Sequence, residues 1–199
     1  MKALSIILFS LLLLTTSFAQ QAKIDGKAPN FKLKDSNGVE HSLSDFAGKT
    51  VVLEWINYDC PFVKKHYDSN NMQSLQEKYT KQGVIWLAIC SSAKGKQGNF
   101  SNEEINKRSK DHNTKFTAYL VDEDGKVGKM YGAKTTPHMY VINPEGKLVY
   151  AGAIDDIKST NVEDIKKAKN YVSMALDEVL SGKEVSTKTT TPYGCSVKY

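Results

Sequence analysis

Cys60 has the setting in this sequence best suited to chemistry. It lies in the run W-I-N-Y-D-C-P-F-V-K-K-H, Trp55 to His66. Proline favours the first position of a helix, where its fixed φ fits and its missing N–H would have had no partner, so Pro61 predicts a helix start with Cys60 as its N-cap. A thiolate there faces unpaired backbone N–H groups and the positive end of the helix dipole, with Lys64 and Lys65 within about a turn. Such surroundings lower a cysteine pKa from about 8.5 toward roughly 3.5–7.5 and enlarge the nucleophilic fraction at neutral pH. The alternative is a buried structural cysteine. Polar Asn57, Tyr58 and Asp59 before it and proline directly after it favour the reactive thiol.

The elements that must position Cys60 follow from periodicity. Val51-Val52-Leu53, Trp55 and Ile56 form a short apolar, β-branched and aromatic run broken only by Glu54, which predicts a buried strand feeding the helix. The helix continues through Phe62, Val63 and Tyr67, loosens at Ser69-Asn70-Asn71, resumes with Met72, Leu75 and Tyr79, and stops at Gly83. Val84 to Ile89 is a continuous apolar run, as expected of a strand covered on both faces, so strand, helix and strand make a βαβ unit. Upstream, alternation at Phe31 and Leu33 and again at Val39, His41 and Leu43 brackets Asn37-Gly38, a strong short-range hairpin signal. Downstream, Ser101 to Glu104 fits a capping box opening a helix to about Asp111. Tyr119 to Val121, Met139 to Ile142 and Leu148 to Ala151 read as strands, and Val127 to Tyr131 as a short helix. A second capping box at Thr160 to Glu163 predicts one helix running to Gly182.

The chain has 199 residues and a formal net charge of +5. Its basic residues are scattered, without a block interleaved with aromatics, so the charge reads as a solvated surface and not as a nucleic-acid footprint. Lys2, the apolar stretch from Ala3 to Leu14 and Ser17-Phe18-Ala19 predict a cleaved secretory signal over residues 1–19, with an apolar run too short for the about 20 residues of a membrane span. No cysteine stands at the cleavage point for a lipid anchor. Residues 20–182 are expected to form one domain, and residues 183–199 a flexible C-terminal tail carrying Cys195.

There are three cysteines, Cys60, Cys90 and Cys195. Their wide spacing argues against zinc, whose ligands usually cluster, and no metal or cofactor is expected. An odd count in an exported chain suggests one pair plus one thiol, or a deliberately reactive cysteine. Cys90 ends a predicted strand and is expected to be core, as free cysteine is among the most buried residue types.

The order hairpin, strand, C-P helix, strand, helix, T-P strand, G-strand, helix resembles the thioredoxin fold: α/β, a central mixed sheet flanked by helices, here with an N-terminal hairpin extension. Over about residues 26–181 it is similar to the redoxin branch that includes thiol-disulfide oxidoreductases and the AhpC/TSA superfamily. The resemblance is carried by Trp55 to Pro61 and by V-D-E-D-G-K-V-G-K-M-Y-G-A-K-T-T-P-H-M-Y-V-I-N-P-E-G-K-L-V-Y-A-G. It implies that Pro137 is a cis-proline set against Cys60, with Thr136 offering backbone groups to a bound thiol or peptide and Asn57 and Pro61 flanking the same substrate site. It also places Glu54 where thioredoxins keep a buried acid, a candidate proton acceptor with a raised pKa. His66 and His138 are expected to be surface or capping residues.

Two departures from the family pattern matter. Val63 stands where the second cysteine of C-x-x-C would fall, and the peroxiredoxin pattern P-x-x-x-T-x-x-C meets Leu53 and Asn57. The only arginine, Arg108, lies on a predicted helix outside any matching motif. A lone nucleophile needs a second thiol to resolve it. The segment from Gly182 to Cys195 reaches roughly 40 Å when extended at about 3.3–3.6 Å per residue, so Cys195 is the internal candidate. The first functional expectation is an exported, periplasmic or secreted thiol-disulfide oxidoreductase in which Cys60 attacks a protein or small-molecule disulfide, Cys195 resolves, and an external reductant closes the cycle. The others are a divergent peroxidase with Cys60 cycling through sulfenic acid, and a non-catalytic binding module holding a soft metal through Cys60 and a histidine.

Overall fold

The apolar runs on either side of the first helix lie next to each other as parallel strands at the centre of the molecule. The structure is a computed structural model and describes residues 21–199, so the expected leader lies outside the described residues. The elements are β1 (Lys32–Asp35), β2 (Glu40–Ser42), β3 (Val51–Trp55), α1 (Pro61–Asp68), α2 (Asn71–Thr80), β4 (Ile85–Cys90), α3 (Asn102–Asp111), β5 (Ala118–Val121), α4 (Lys126–Tyr131), β6 (Thr135–Thr136), β7 (His138–Ile142), β8 (Leu148–Gly152), α5 (Tyr171–Leu180) and β9 (Cys195–Ser196). Among the described residues no helix is long and apolar enough to cross a membrane.

Seven strands form one mixed sheet in the order β2-β1-β5-β4-β3-β7-β8, and β6 with β9 forms a separate two-stranded ladder. β3, β4 and β5 are parallel, while β7, β8 and the β1–β2 hairpin run antiparallel to their neighbours. The hairpin extends one edge. Gly38 takes φ of 82°, and the Asp35 carboxylate accepts from the N–H groups of Asn37 (2.8 Å) and Val39 (2.9 Å), which closes the turn.

Strand alternation divides the core. Val52 and Ile56 face one side with Val63, Tyr67, Met72 and Leu176, whereas Val51, Leu53 and Trp55 face the other with Phe31, Val127 and Tyr131. Glu54, between Val52 and Ile56 in the pleat, points to the first side and is fully buried. The expected loosening after α1 is a turn in which Asn70 takes φ of 58°, a left-handed conformation that asparagine tolerates better than most residues.

The last helix differs from its prediction. Asn161 caps only a 3₁₀ turn at Val162–Lys166, and α5 begins anew with Asn170 as its cap, the side chain accepting from Ser173 N–H at 2.8 Å. The cause is tertiary. Tyr171 N–H donates to the Ile154 carbonyl (3.0 Å) and Lys169 N–H to the Asp156 carboxylate (2.8 Å), pulling residues 169–171 into extended contact with the chain after β8. Replacing the cap, Asn170→Ala, should lower stability in a denaturant titration by about 1 kcal/mol while leaving Cys60 reactivity unchanged.

Candidate active site

Cys60 is delivered by a short turn between β3 and α1. Asn57 organises it: its carbonyl accepts from Cys60 N–H at 3.0 Å and its side-chain oxygen from Asp59 N–H at 3.0 Å. Its amide meanwhile reaches the carbonyl of Gln97 at 3.4 Å, tying the turn to the 91–99 loop. Cys60 has extended backbone angles (φ −74°, ψ 123°) as the N-cap of α1, with Pro61 first in the helix. Asn57 is thus buried beneath the turn and positions it, while Pro61 lies at the surface.

The Thr136–Pro137 peptide is cis, and this loop lies against Cys60. The Cys60 thiol donates to the Thr136 carbonyl at 3.1 Å. The third side of the site is the C-terminal segment. β9 pairs antiparallel with β6, placing Cys195 opposite Thr136 and Ser196 opposite Thr135. Gly194 makes this approach possible: at φ of 132°, a side chain on it would collide with the Thr136 carbonyl.

The segment expected to be a flexible tail is therefore docked along its length. The Lys188 carbonyl accepts from Ala151 N–H at 3.0 Å, Thr190 Oγ1 accepts from Ala153 N–H at 2.9 Å, and Val197 N–H donates to the Lys134 carbonyl at 3.0 Å. Tyr199 closes the run by donating to the Ala133 carbonyl at 2.8 Å. Val185 and Tyr193 are buried. Composition could not reveal this, because threonine-rich sequence is polar by content yet pairs well with a strand edge.

The two thiols face each other in different electrostatic settings. Burial alone would raise the Cys60 pKa, but donors outweigh it: the Cys195 thiol, the Thr136 side chain, and the backbone N–H groups of Cys195 and Val63. The net shift is downward. The Thr136 hydroxyl has no partner while Cys60 is a protonated thiol donating to the carbonyl, so it is free to turn to the thiolate. Cys195 goes the other way, pushed up to about 11 by burial and by the negative charge on Cys60.

Lysine plays a smaller part than the sequence suggests. Lys65 is fully buried and turns away to the Ile157 carbonyl (2.9 Å) and Asp155 (3.5 Å). His66 and His138, expected near the surface, are also buried, and burial holds His66 neutral with a pKa of about 3 and His138 with one of about 4. His138 bonds to Tyr140 (3.0 Å) and His66 to Asn71 (2.9 Å), neither to Cys60. Arg108, which no motif singled out, lies at the rim: it pairs with Asp59 (2.7 Å) beside Cys60, and with Glu104 (2.6 Å).

Glu54 accepts from Tyr67 (2.8 Å), Gln76 (3.1 Å) and Trp86 (2.7 Å), and burial raises its pKa despite these three bonds. None of its hydrogen bonds reaches Cys60. The Cys90 thiol is buried within 3.4 Å of both Ser92 Oγ and the Gly98 carbonyl, and burial raises its pKa. Among the described residues no three His, Cys, Asp or Glu side chains are grouped to hold a metal.

Known proteins resemble this chain in sequence and in fold. A family model described as the AhpC/TSA family matches residues 24–151. Thiol-disulfide oxidoreductase ResA of Bacillus subtilis (strain 168) is 33% identical over 122 residues, covering 61% of this chain and 63% of that protein, so the match spans just under two thirds of the relative. The crystal structure of an uncharacterized conserved protein from Geobacillus kaustophilus superposes with a TM-score of 0.75 at 30% identity, over 89% of this chain and 92% of that one. The thioredoxin domain of a thiol-disulfide oxidoreductase from Bacteroides vulgatus aligns with a TM-score of 0.52 at 19% identity, over 74% and 98%, and shares the fold. The expected thioredoxin fold is the observed one.

Two titrations check the electrostatics. Cys195→Ala removes the strongest donor to the Cys60 thiolate, so the midpoint of Cys60 thiolate absorbance should move up in pH. Glu54 has a raised folded-state pKa, so its stabilising contribution is full below the unfolded carboxylate pKa and is lost as pH rises through the folded value. The stability of Glu54→Gln relative to the parent should therefore grow with pH across that window in denaturant titrations.

Proposed function

The chain belongs to the AhpC/TSA family, and on that premise we propose that it is a thiol-disulfide oxidoreductase whose working pair is Cys60 and Cys195. The observation that carries this reading is the placement of the two free thiols. One is lowered in pKa at a helix start, and the other is raised and held against it by the β6–β9 ladder. The activity of the ResA relatives supports the same reaction class.

The chemistry follows from the asymmetry. The Cys60 thiolate attacks a disulfide R–S–S–R, forming a Cys60–S–S–R bond and releasing RS⁻. Cys195 then loses its proton and attacks Cys60 Sγ, forming the Cys60–Cys195 disulfide and releasing the second RS⁻. Two electrons pass from the protein to the substrate, which leaves as two thiols once protonated. An external dithiol reverses the internal disulfide. A low-pKa thiol is the better attacker at neutral pH, so Cys60 engages the substrate; it is also the better leaving group, so the external reductant attacks Cys195 Sγ and expels the Cys60 thiolate.

Thr136, Pro137, Asn57 and Pro61 frame the place where substrate meets Cys60, and Glu54 serves as a buried acid behind the strand. Disulfide exchange is favoured over peroxide reduction because the Arg108 guanidinium is engaged by Asp59 and Glu104, while the Cys60 thiol bonds to the Thr136 carbonyl. Export to a periplasm or medium is supported by the leader pattern in residues 1–19.

Peptide mapping without reduction tests the reading. Treatment with oxidised glutathione should yield a Cys60–Cys195 bond, formed faster than with equimolar hydrogen peroxide. Cys60→Ser should abolish turnover with a dithiol reductant, and Cys195→Ser should stall at a Cys60–glutathione adduct. A Cys195 that stays free while parent Cys60 carries a lasting adduct would reject the pair.

A further inference from the structure

Cys60 has no solvent-accessible surface, because the C-terminal segment lies across it and fills the β6 edge. What holds that segment in place is a buried cluster away from the two thiols. Tyr193, two residues before Cys195, inserts its ring edge-on to Phe62 with centroids 5.8 Å apart. Its hydroxyl donates to the Asp155 carboxylate and lies 3.4 Å from His66 Nε2. The second Asp155 oxygen has no hydrogen-bond donor and is balanced by the Lys65 ammonium, 3.5 Å away. Lys65, His66 and Phe62 belong to the helix that Cys60 begins, so the cluster joins the helix of the attacking thiol to the segment of the second one.

A buried charged pair is a costly receptor for a tyrosine when an apolar one would pack as well. Its physical consequence is reversibility. When Tyr193 withdraws, water can take its place on Asp155 and Lys65, whereas a purely apolar socket would be left open to water. Resting on the dithiol reading above, we propose that Tyr193 is a positioning residue which clasps Cys195 onto Cys60 through Asp155 and Phe62, and that an incoming disulfide reaches Cys60 only when this clasp opens. The segment then recloses to bring Cys195 to the Cys60–S–S–R bond. The exchange balances as before: one substrate disulfide is reduced to two thiols, and one protein disulfide forms.

The test uses the full purified protein and the conservative Tyr193→Phe, which keeps the ring on Phe62 and removes the bond to Asp155. A hydrogen bond to a charged group is large enough that its loss should shift the open fraction by roughly tenfold or more. Three readings are expected together in Tyr193→Phe: faster alkylation of reduced Cys60 by iodoacetamide, a longer-lived Cys60–glutathione adduct after oxidised glutathione, and a Cys60–Cys195 disulfide more easily reduced by glutathione. Buried Cys90 is the internal control, and its alkylation should not change. Tyr193→Ala should exceed Tyr193→Phe in each reading. Parent-like alkylation and resolution in Tyr193→Phe would overturn the clasp while leaving the dithiol reaction standing. Equal acceleration at Cys60 and Cys90 would reduce Tyr193 to a general stabiliser and also overturn it. Failure of the parent protein to form the Cys60–Cys195 bond would instead remove the dithiol reaction itself, and the clasp with it.

Discussion

The hydrogen bond from the Cys60 thiol to the Thr136 carbonyl joins the two parts of the chain on which the site depends. One is the strand-to-helix turn of β3 and α1, and the other is the loop entering β7. Because β7 pairs with β3 in register, with His138 opposite Trp55, the loop before β7 is brought to the same end of the sheet as the turn after β3. The sheet therefore fixes the distance between Cys60 and Thr136. The same Thr136 also receives β9, so the position of Cys195 is measured from Cys60 through a single residue.

From this arrangement comes a difference between two chemically identical side chains. Burial disfavours the charged form of both thiols, and what separates them is which one receives donors. Cys60 collects them from the opposing thiol, the Thr136 side chain and two backbone N–H groups, while Cys195 faces the negative charge that results. A C-x-x-C motif places both cysteines within one helical turn. Here the second thiol comes from the far end of the sequence, on β9, and is not part of the helix that Cys60 begins.

The remaining buried polar groups keep the scaffold in order. Glu54 gathers Tyr67, Gln76 and Trp86 from α1, α2 and β4, so one carboxyl unites three elements beneath the site. Trp55, on the opposite face, donates to Ser91, which in turn donates to Asp122, and Asp122 accepts the N–H groups at the start of α4. The Trp55–Ser91–Asp122 network lies at the end of the sheet from which the chain runs to Cys60, and the Glu54 network reaches back to Trp86 near the start of β4; neither bonds to Cys60.

The local signals in the sequence were sufficient for Cys60, Pro61, the Asn37-Gly38 hairpin, the parallel β3–β4 pair and the general order of elements. Each of these depends on backbone rules that act within a few residues: proline at a helix start, glycine at positive φ, and apolar runs in doubly covered strands. What depended on distant partners was not legible. The single long helix read over residues 162–182 is two pieces because Ile154 and Asp156 bind its middle, and Lys65 faces Asp155 because a residue ninety positions away completes its pocket. Arg108 reached the rim of the site through α3 packing, which no motif encodes. The C-terminal segment is the clearest case. Its composition marks it as polar chain, but an unpaired β6 edge, a glycine at position 194 and a buried tyrosine socket exist only once the sheet has formed, and together they turn that chain into one wall of the site. Sequence alone thus determined that Cys60 stands at a helix start, since that depends on its immediate neighbours, while only the tertiary structure brought Thr136 and Cys195 against it and lowered its pKa, since those contacts join residues with no local relation.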